Sequence, residues 1–232
     1  RDRFGEKPLY FGVVQNNFIF GSELKVFKAI TKIDNKISRE SLNLFLRFGY
    51  VPGPRSIFDN IFKLPPGSLL KIKRRDLKNF YIKRNINFKK FNIKFWWNAK
   101  NKFNSLSAAK FYNSENATKH SEKILVESIK SQLISDVPLG TFLSGGIDSS
   151  LVTSLIQKNL SMKIKTFTIG FEDQNYDESK YAKKIANYLG TDHNELILSQ
   201  TEALNIIPTL SKVYDEPFAD SSQIPTIFPY PL

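Results

Sequence analysis

The sequence predicts a mixed α/β protein: a short antiparallel β part followed by a doubly wound parallel sheet. Three observations carry this. From residue 114 onward, strand-like and helix-like runs alternate, the pattern of parallel strands joined by crossover helices. Upstream, the apolar runs LYFGVV and FIFGSE are separated by Gln15-Asn16-Asn17, the spacing of an antiparallel hairpin. Between them in character stands TFLSGGIDSS, where an apolar strand breaks off at Ser-Gly-Gly and meets an Asp and two serines at the start of the next helix.

After the hairpin, LKVFKAI predicts a short helix. SRESLNLFLRFG predicts a second one, capped by Ser38, closed by Gly49 and presenting Leu42, Phe45, Leu46 and Phe48 on one face. VPGPRSIF reads as a loop from its prolines and glycine, and KLPPGSLLKIKR turns at Pro65-Pro66-Gly67 into another strand. From about Lys71 to Asn113 the pattern loses its period and becomes basic and Asn-rich, as in a linker or protruding hairpin. Residues 116–135 then predict an amphipathic helix with Ile124, Leu125, Ser128, Ile129 and Leu133 on one face. LGTFL predicts a buried strand, SSLVTSLIQKN a helix and KIKTFTIGF a strand. ESKYAKKIANYLG predicts a helix closed by Gly190, HNELILS a strand, and TEALNIIPTLSKVY a single further helix. No repeat of about 20–50 residues is evident.

An apolar content of 41%, with 13% aromatics in 232 residues, is enough to fill a sizeable core. No run of about 18 uncharged apolar residues occurs, and RDRFGEKPLY lacks the basic-then-apolar layout of a signal peptide, so a soluble, cytoplasmic protein with no membrane partner is expected. The absence of cysteine excludes disulfides, thiolate metal sites and a cysteine nucleophile within this chain. The start at Arg1 and the end at IFPYPL, whose Pro229 and Pro231 would break a helix, suggest a piece cut at both ends.

The formal net charge of +12 is uneven: residues 63–110 hold 14 basic residues against the single Asp76. FYIKRNINFKKFNIKFWW interleaves aromatics with cations as single-strand nucleic-acid binders do. A solvated lysine-rich connector accounts for the same stretch and is the expected reading, so nucleic acid is not an expected partner.

At the carboxyl end of a parallel strand, glycines let the backbone approach an anion closely, and the free N–H groups of the following helix add partial positive charge. Ser144, Gly145 and Gly146 occupy such a position, and Ser149 and Ser150 add hydroxyl donors. No G-x-x-x-x-G-K-[ST] is present to hold a γ-phosphate with a lysine. An anion loop bearing Asp148 and no lysine fits pyrophosphate bound with Mg²⁺, which takes one or two carboxylates and keeps several waters. A tight turn with Asp148 as a helix cap is the plain alternative.

SGGIDSS resembles the PP-loop of the N-type ATP pyrophosphatases. SDVPLGTFLSGGIDSSLV, FTIGFEDQNYDESKYAKKIANYLGTDHNE and VYDEPFADSSQIPT resemble, in order, the blocks of the glutamine-dependent asparagine synthetases. RDRFGEKPLYFG is similar to the segment near the end of that family's glutaminase domain, and FGYVPGPRSIFDNIFKLPPGSLL to its inter-domain passage. The resemblance implies three regions. Residues 1–75 would be the C-terminal antiparallel part of an N-terminal-nucleophile-type glutaminase domain, 76–113 a basic connector, and 114–232 the N-terminal part of an adenine nucleotide α-hydrolase-like synthetase domain.

It implies further that Leu143 and Ile169 hold the adenine and ribose of ATP, and that Ser144, Gly145, Gly146, Asp148, Ser149 and Ser150 hold pyrophosphate, with Asp148 joined to Mg²⁺. Asp215, Glu216 and Asp220 form an acidic loop that faces substrate or Mg²⁺, or is a solvated turn. Asp177 is read as a helix cap, and His193 and Glu195 as supporting residues. The implied reaction activates an aspartate carboxyl as an acyl-adenylate for attack by ammonia released from glutamine, in a parent that can form a homodimer. The glutamine step needs a cysteine nucleophile, so this chain alone is expected to be inactive in it. The family's second anion loop and a later lysine are also expected outside the chain. Alternatives are an amidotransferase acting on another carboxylate, as in surface-glycan clusters or β-lactam closure, an inactive remnant, or a tRNA-modifying PP-loop enzyme.

Overall fold

The computed structural model describes residues 1–14, 17–30, 36–73, 75, 77, 91–105, 113–159, 163–173 and 177–228. The chain divides into two compact units: residues 1–108 with 209–221, and residues 109–208 with 222–232. Of the sequence expectations, Gln15-Asn16, most of the basic connector, and Pro229 and Pro231 lie outside the described residues.

In the first unit, β1 (Tyr10–Val14) is the middle strand of an antiparallel sheet in the order β2-β1-β3, between β2 (Asn17–Gly21) and β3 (Ile61–Lys63). The antiparallel pairing is the expected one, but Asn17, read as part of the turn, is the first residue of β2: it lies opposite Val14, and Tyr10 lies opposite Gly21, so β2 starts one residue earlier than expected. Period-2 alternation divides the apolar residues between two clusters. Ile19 and Ile61 join Leu24, Phe27, Val51 and Ile57 in one, and Phe11 and Phe62 join Leu64 and Phe91 in the other. Gly12 admits the neighbouring strand: a Cβ there would lie 2.6 Å from the Asn60 carbonyl oxygen.

Helix α1 (Lys25–Ile30) supplies the fully buried Phe27. Helix α2 (Arg39–Phe48) begins and ends as predicted: the Ser38 hydroxyl accepts from the Ser41 N–H, and Gly49 closes it at φ 77°. Its inward face differs from the expected one. Ser41 is buried and Phe45 half-buried, while Leu42, Leu46 and Phe48 are exposed.

Strand β4 (Ser68–Leu70) pairs antiparallel with β5 (Ile93–Phe95), and helix α3 (Ala99–Ser105) follows. The stretch read as a connector thus contributes to the first unit, and its Phe91 is buried in the core.

In the second unit, β6 (Gly140–Phe142), β7 (Lys165–Phe171) and β8 (Asp192–Leu198) form a parallel sheet in that order. The central β7 buries Thr166, Phe167 and Thr168. The expectation of a buried LGTFL strand is corrected: β6 is an edge strand among the described residues, and Phe142 is exposed. Helix α4 (Ser114–Gln132), capped by Asn113, turns Glu122, Val126, Ile129 and Leu133 inward rather than Ile124 and Leu125. It lies against α5 (Ile147–Asn159), where Lys158 meets Glu122 at 2.8 Å.

Helix α6 (Ser179–Leu189) ends at Gly190 as predicted. The predicted single helix after β8 is interrupted. Helix α7 (Gln200–Ile206) has a Ser199/Glu202 capping box, Ile207–Thr209 is a 3₁₀ turn, and α8 (Leu210–Val213) follows. Pro208 removes a backbone donor and sterically opposes a continuous helix. It is also the last residue before the chain passes into the first unit; on its return, α9 (Gln223–Ile227) belongs to the second.

Candidate functional site

The Ser144-Gly145-Gly146 turn lies between the carboxyl end of β6 and the amino end of α5. Leu143 anchors it from beneath. Its N–H donates to the Phe167 carbonyl at 2.9 Å, its carbonyl accepts from the Thr168 hydroxyl at 2.5 Å, and its side chain is buried against Ala182 and Ala186. Leu143 therefore has its side chain and both backbone polar groups engaged by protein. Gly145 adopts φ +80°, and a Cβ there would lie 2.9 Å from Tyr181 Cβ and 3.0 Å from the Ala182 nitrogen, so both conformation and packing demand glycine.

The outer side of the turn is open: Ser144, Gly146, Ile147 and Asp148 are exposed. The first N–H groups of a helix have no intrahelical acceptor, so the amino end of α5 presents donors and the positive end of its dipole here. The hydroxyls close on one another. Ser144 Oγ and Ser149 Oγ are 2.9 Å apart, Ser144 N–H reaches Ser149 Oγ at 3.3 Å, and Gly146 N–H reaches Ser144 Oγ at 3.4 Å. The Ser150 hydroxyl donates to the Gly146 carbonyl at 2.6 Å. The two bonds from the Ser144 and Gly146 N–H groups are long and local, so these donors can be exchanged onto an anion without unfolding the turn. Asp148, in the first turn of α5, adds one exposed carboxylate.

The structure thus brings Ser144, Gly145, Gly146, Asp148, Ser149 and Ser150 together. Ile169 is half-buried on β7, opposite Leu196 of β8. Asp177 Oδ1 accepts the Ser179 N–H at 3.0 Å at the start of α6. Burial pushes its carboxyl up, but hydrogen bonds from Ser179 and the backbone outweigh this and hold it below the usual carboxylate range.

Glu195 meets Lys183 at 3.1 Å, and that bond holds its pKa down. His193 Nδ1 lies 2.9 Å from the Thr166 hydroxyl, which also meets Thr191 Oγ1 at 2.9 Å; Nε2 is buried and has no hydrogen-bond partner among the described residues. Burial lowers the His193 pKa.

Asp215 and Glu216 have a different setting from the one expected. Glu216 Oε1 accepts the Ile57 N–H at 2.7 Å, while Oε2 meets Lys63 Nζ at 2.6 Å and accepts from the Tyr10 hydroxyl at 3.2 Å. Burial and the Glu216 carboxylate push the Tyr10 pKa up. Asp215 accepts the Lys25 N–H at 3.2 Å. All these partners belong to the first unit, where both carboxylates hold the segment 209–221 in place. No local sequence signal announces this, because the partners lie 159 and 190 residues away. Asp220 is exposed in the same segment. Among the described residues no group of three or more His, Cys, Asp or Glu side chains is placed to hold a metal ion, and no helix is long and apolar enough to cross a membrane.

A parallel sheet with an open glycine turn, preceded by an antiparallel unit, defines a two-part α/β protein. Comparison with known families divides it in the same sense. Residues 1–82 match the glutamine amidotransferase domain family, and residues 120–231 match asparagine synthase. A Methanocaldococcus jannaschii protein provisionally named asparagine synthetase 2 (glutamine-hydrolyzing) is 33% identical over 231 residues, 97% of this chain and 41% of that protein. Asparagine synthetase 1 (glutamine-hydrolyzing) of Bacillus subtilis is 31% identical over 98% of this chain and 33% of its own length. A Penicillium rubens protein named amidase chyE is 28% identical over 88% of this chain and 30% of its own length. These matches support a fragment of the asparagine synthetase family. The chain spans less than half the length of these relatives.

Proposed function

We propose that the chain is part of an ATP-dependent, glutamine-hydrolysing asparagine synthetase, and that the Ser144–Ser150 turn holds the pyrophosphate that leaves when ATP activates the side-chain carboxyl of aspartate. The observation that carries this is the Ser-Gly-Gly turn at the carboxyl end of a parallel strand, with the amino end of α5 and the Ser144, Ser149 and Ser150 hydroxyls gathered around Gly146 and no lysine among them. The backbone supplies fixed dipoles and the hydroxyls adjustable donors, which suits a leaving group whose charge grows as the bond to it breaks.

Ile169 lines the nucleotide. Leu143 contributes by fixing the turn rather than by offering its side chain. Asp148 supplies one carboxylate to a Mg²⁺ whose remaining ligands are phosphate oxygens and water; a single exposed acid at the turn fits that ion's habit. The second unit is then the start of an adenine nucleotide α-hydrolase-like, doubly wound PP-loop domain. The first is the end of an N-terminal-nucleophile-type glutaminase, and the whole works in the cytoplasm as a homodimer. The glutamine-hydrolysing step falls to no residue of this chain, which has no cysteine.

Titration of the chain with ATP and with inorganic pyrophosphate in the presence of Mg²⁺ tests the site. Saturable binding of both, lost in Gly145→Ala, is expected; no binding to the folded chain overturns the assignment. A second reading, activation of a carboxylate other than aspartate, is favoured by the relatives named as amidases. ATP–pyrophosphate exchange by the whole protein with a panel of carboxylic acids decides between them.

A further inference from the structure

The start of α6 touches the glycine turn directly: the Cβ that Gly145 lacks would meet Tyr181 Cβ at 2.9 Å and the Ala182 nitrogen at 3.0 Å. Ala182 and Ala186, on the inward face of α6, are fully buried. Tyr181, set against the turn by its backbone and Cβ, is instead 64% exposed as a residue, and among the described residues neither the ring nor the hydroxyl has a partner. A tyrosine presents a large apolar body and a polar tip, and its hydroxyl is usually hydrogen-bonded when the ring is covered. Here the Cβ of such a side chain stands against the Ser144–Ser150 turn, and the residue is left largely uncovered among the described residues.

We infer that Tyr181 is a ligand-contacting residue of the glycine turn, its ring closing over the bound diphosphate and its hydroxyl donating to a phosphate oxygen. The inference rests on the diphosphate assignment above and adds to it a side chain from outside the Ser144–Ser150 stretch. A phenol is a neutral donor at neutral pH. It therefore favours the anion without the fixed charge that a lysine would place on the turn, in keeping with a site that must release pyrophosphate. Tyr188 provides an internal comparison. It lies on the same helix, seven residues and about 10 Å along the axis, and is 89% exposed.

The test is titration of ATP and of inorganic pyrophosphate, each with Mg²⁺, into the wild-type chain and its Tyr181→Ala, Tyr181→Phe, Tyr188→Ala and Gly145→Ala variants, with thermal melts alongside. Tyr181→Ala is expected to weaken both ligands about tenfold, the lower end of what a hydrogen bond to a charged group is worth. Tyr181→Phe should show most of that loss, and Tyr188→Ala should match wild type. Because the ring is largely exposed, Tyr181→Ala should melt with wild type. A wild-type chain that binds both ligands while Tyr181→Ala binds them within about twofold overturns the role of Tyr181 and leaves the diphosphate site standing. Equal weakening in Tyr188→Ala also overturns it, since the effect would then belong to the helix surface at large. A folded wild-type chain that binds neither ligand overturns the site itself, and Tyr181 with it.

Discussion

Replacing Glu216 by alanine removes at one stroke the acceptor of the Ile57 N–H, the partner of the Lys63 ammonium and the acceptor of the Tyr10 hydroxyl. The Glu216 and Lys63 side chains are only 12% and 19% exposed, so water replaces little of what is lost. Breaking a fully buried ion pair costs about 3–5 kcal/mol. Here Lys63 keeps its bond to the Val51 carbonyl at 2.6 Å and some solvent. A net loss of about 2–3 kcal/mol follows, including the stranded Ile57 N–H. For a first unit of roughly 120 residues, that lowers the melting midpoint by about 8–12 °C. Both tryptophans, Trp96 and Trp97, lie in this unit, so tryptophan fluorescence follows its melting selectively. Glu216→Gln, which can still accept from Ile57 but carries no charge, should fall between. An alanine variant melting within about 2 °C of wild type would refute the idea that this carboxylate stitches the segment to the unit.

Gly145→Ala should destabilise the second unit by about 2 kcal/mol or more, from the left-handed backbone and the contact with Tyr181, seen as an earlier far-UV circular dichroism melt. His193 has a folded-state pKa below its unfolded value of 6.5, so the unfolded chain binds more protons in acid. The stability present above pH 6.5 should decline as pH falls from there through the lower folded value, and His193→Gln should flatten that slope in melts taken across the range. Incubated with glutamine, aspartate and ATP, the 232-residue chain should form no AMP in a glutamine-dependent manner, because it holds no cysteine nucleophile; AMP formation that rises robustly on adding glutamine contradicts this.

What could be read from the sequence was local. The Ser38 cap, the Gly49 and Gly190 helix stops, the antiparallel pairing of the first two strands and the strand–glycine–helix order around Gly145 all depend on neighbours within a few residues, and the structure shows each of them. The inward faces of α2 and α4 were misjudged because each helix carries more apolar residues than its contacts cover. Burial then selects Ser41 and Phe45 in one, and Val126, Ile129 and Leu133 in the other. Pro208 offered a legible break that the strong apolar periodicity on either side of it overrode. The roles of Asp215 and Glu216 were beyond any local pattern, since an acidic loop looks the same whether it faces solvent, a metal ion or a distant lysine. The contact between Tyr181 and the glycine turn likewise joins residues 36 positions apart.

The first unit is discontinuous in sequence, completed by residues 209–221. A growing chain therefore offers the Gly49 carbonyl and the Ile57 N–H to water until Ala219 and Glu216 have been synthesised, and all three parallel strands emerge in the meantime. Closing so long a loop adds an entropic cost that grows only logarithmically with its length, but it delays the reward until residues 209–221 arrive. The edge of the first unit at Gly49 and Ile57 thus gains its partners only after the strands of the second have been made, although the apolar clusters behind it need no residue of that late segment.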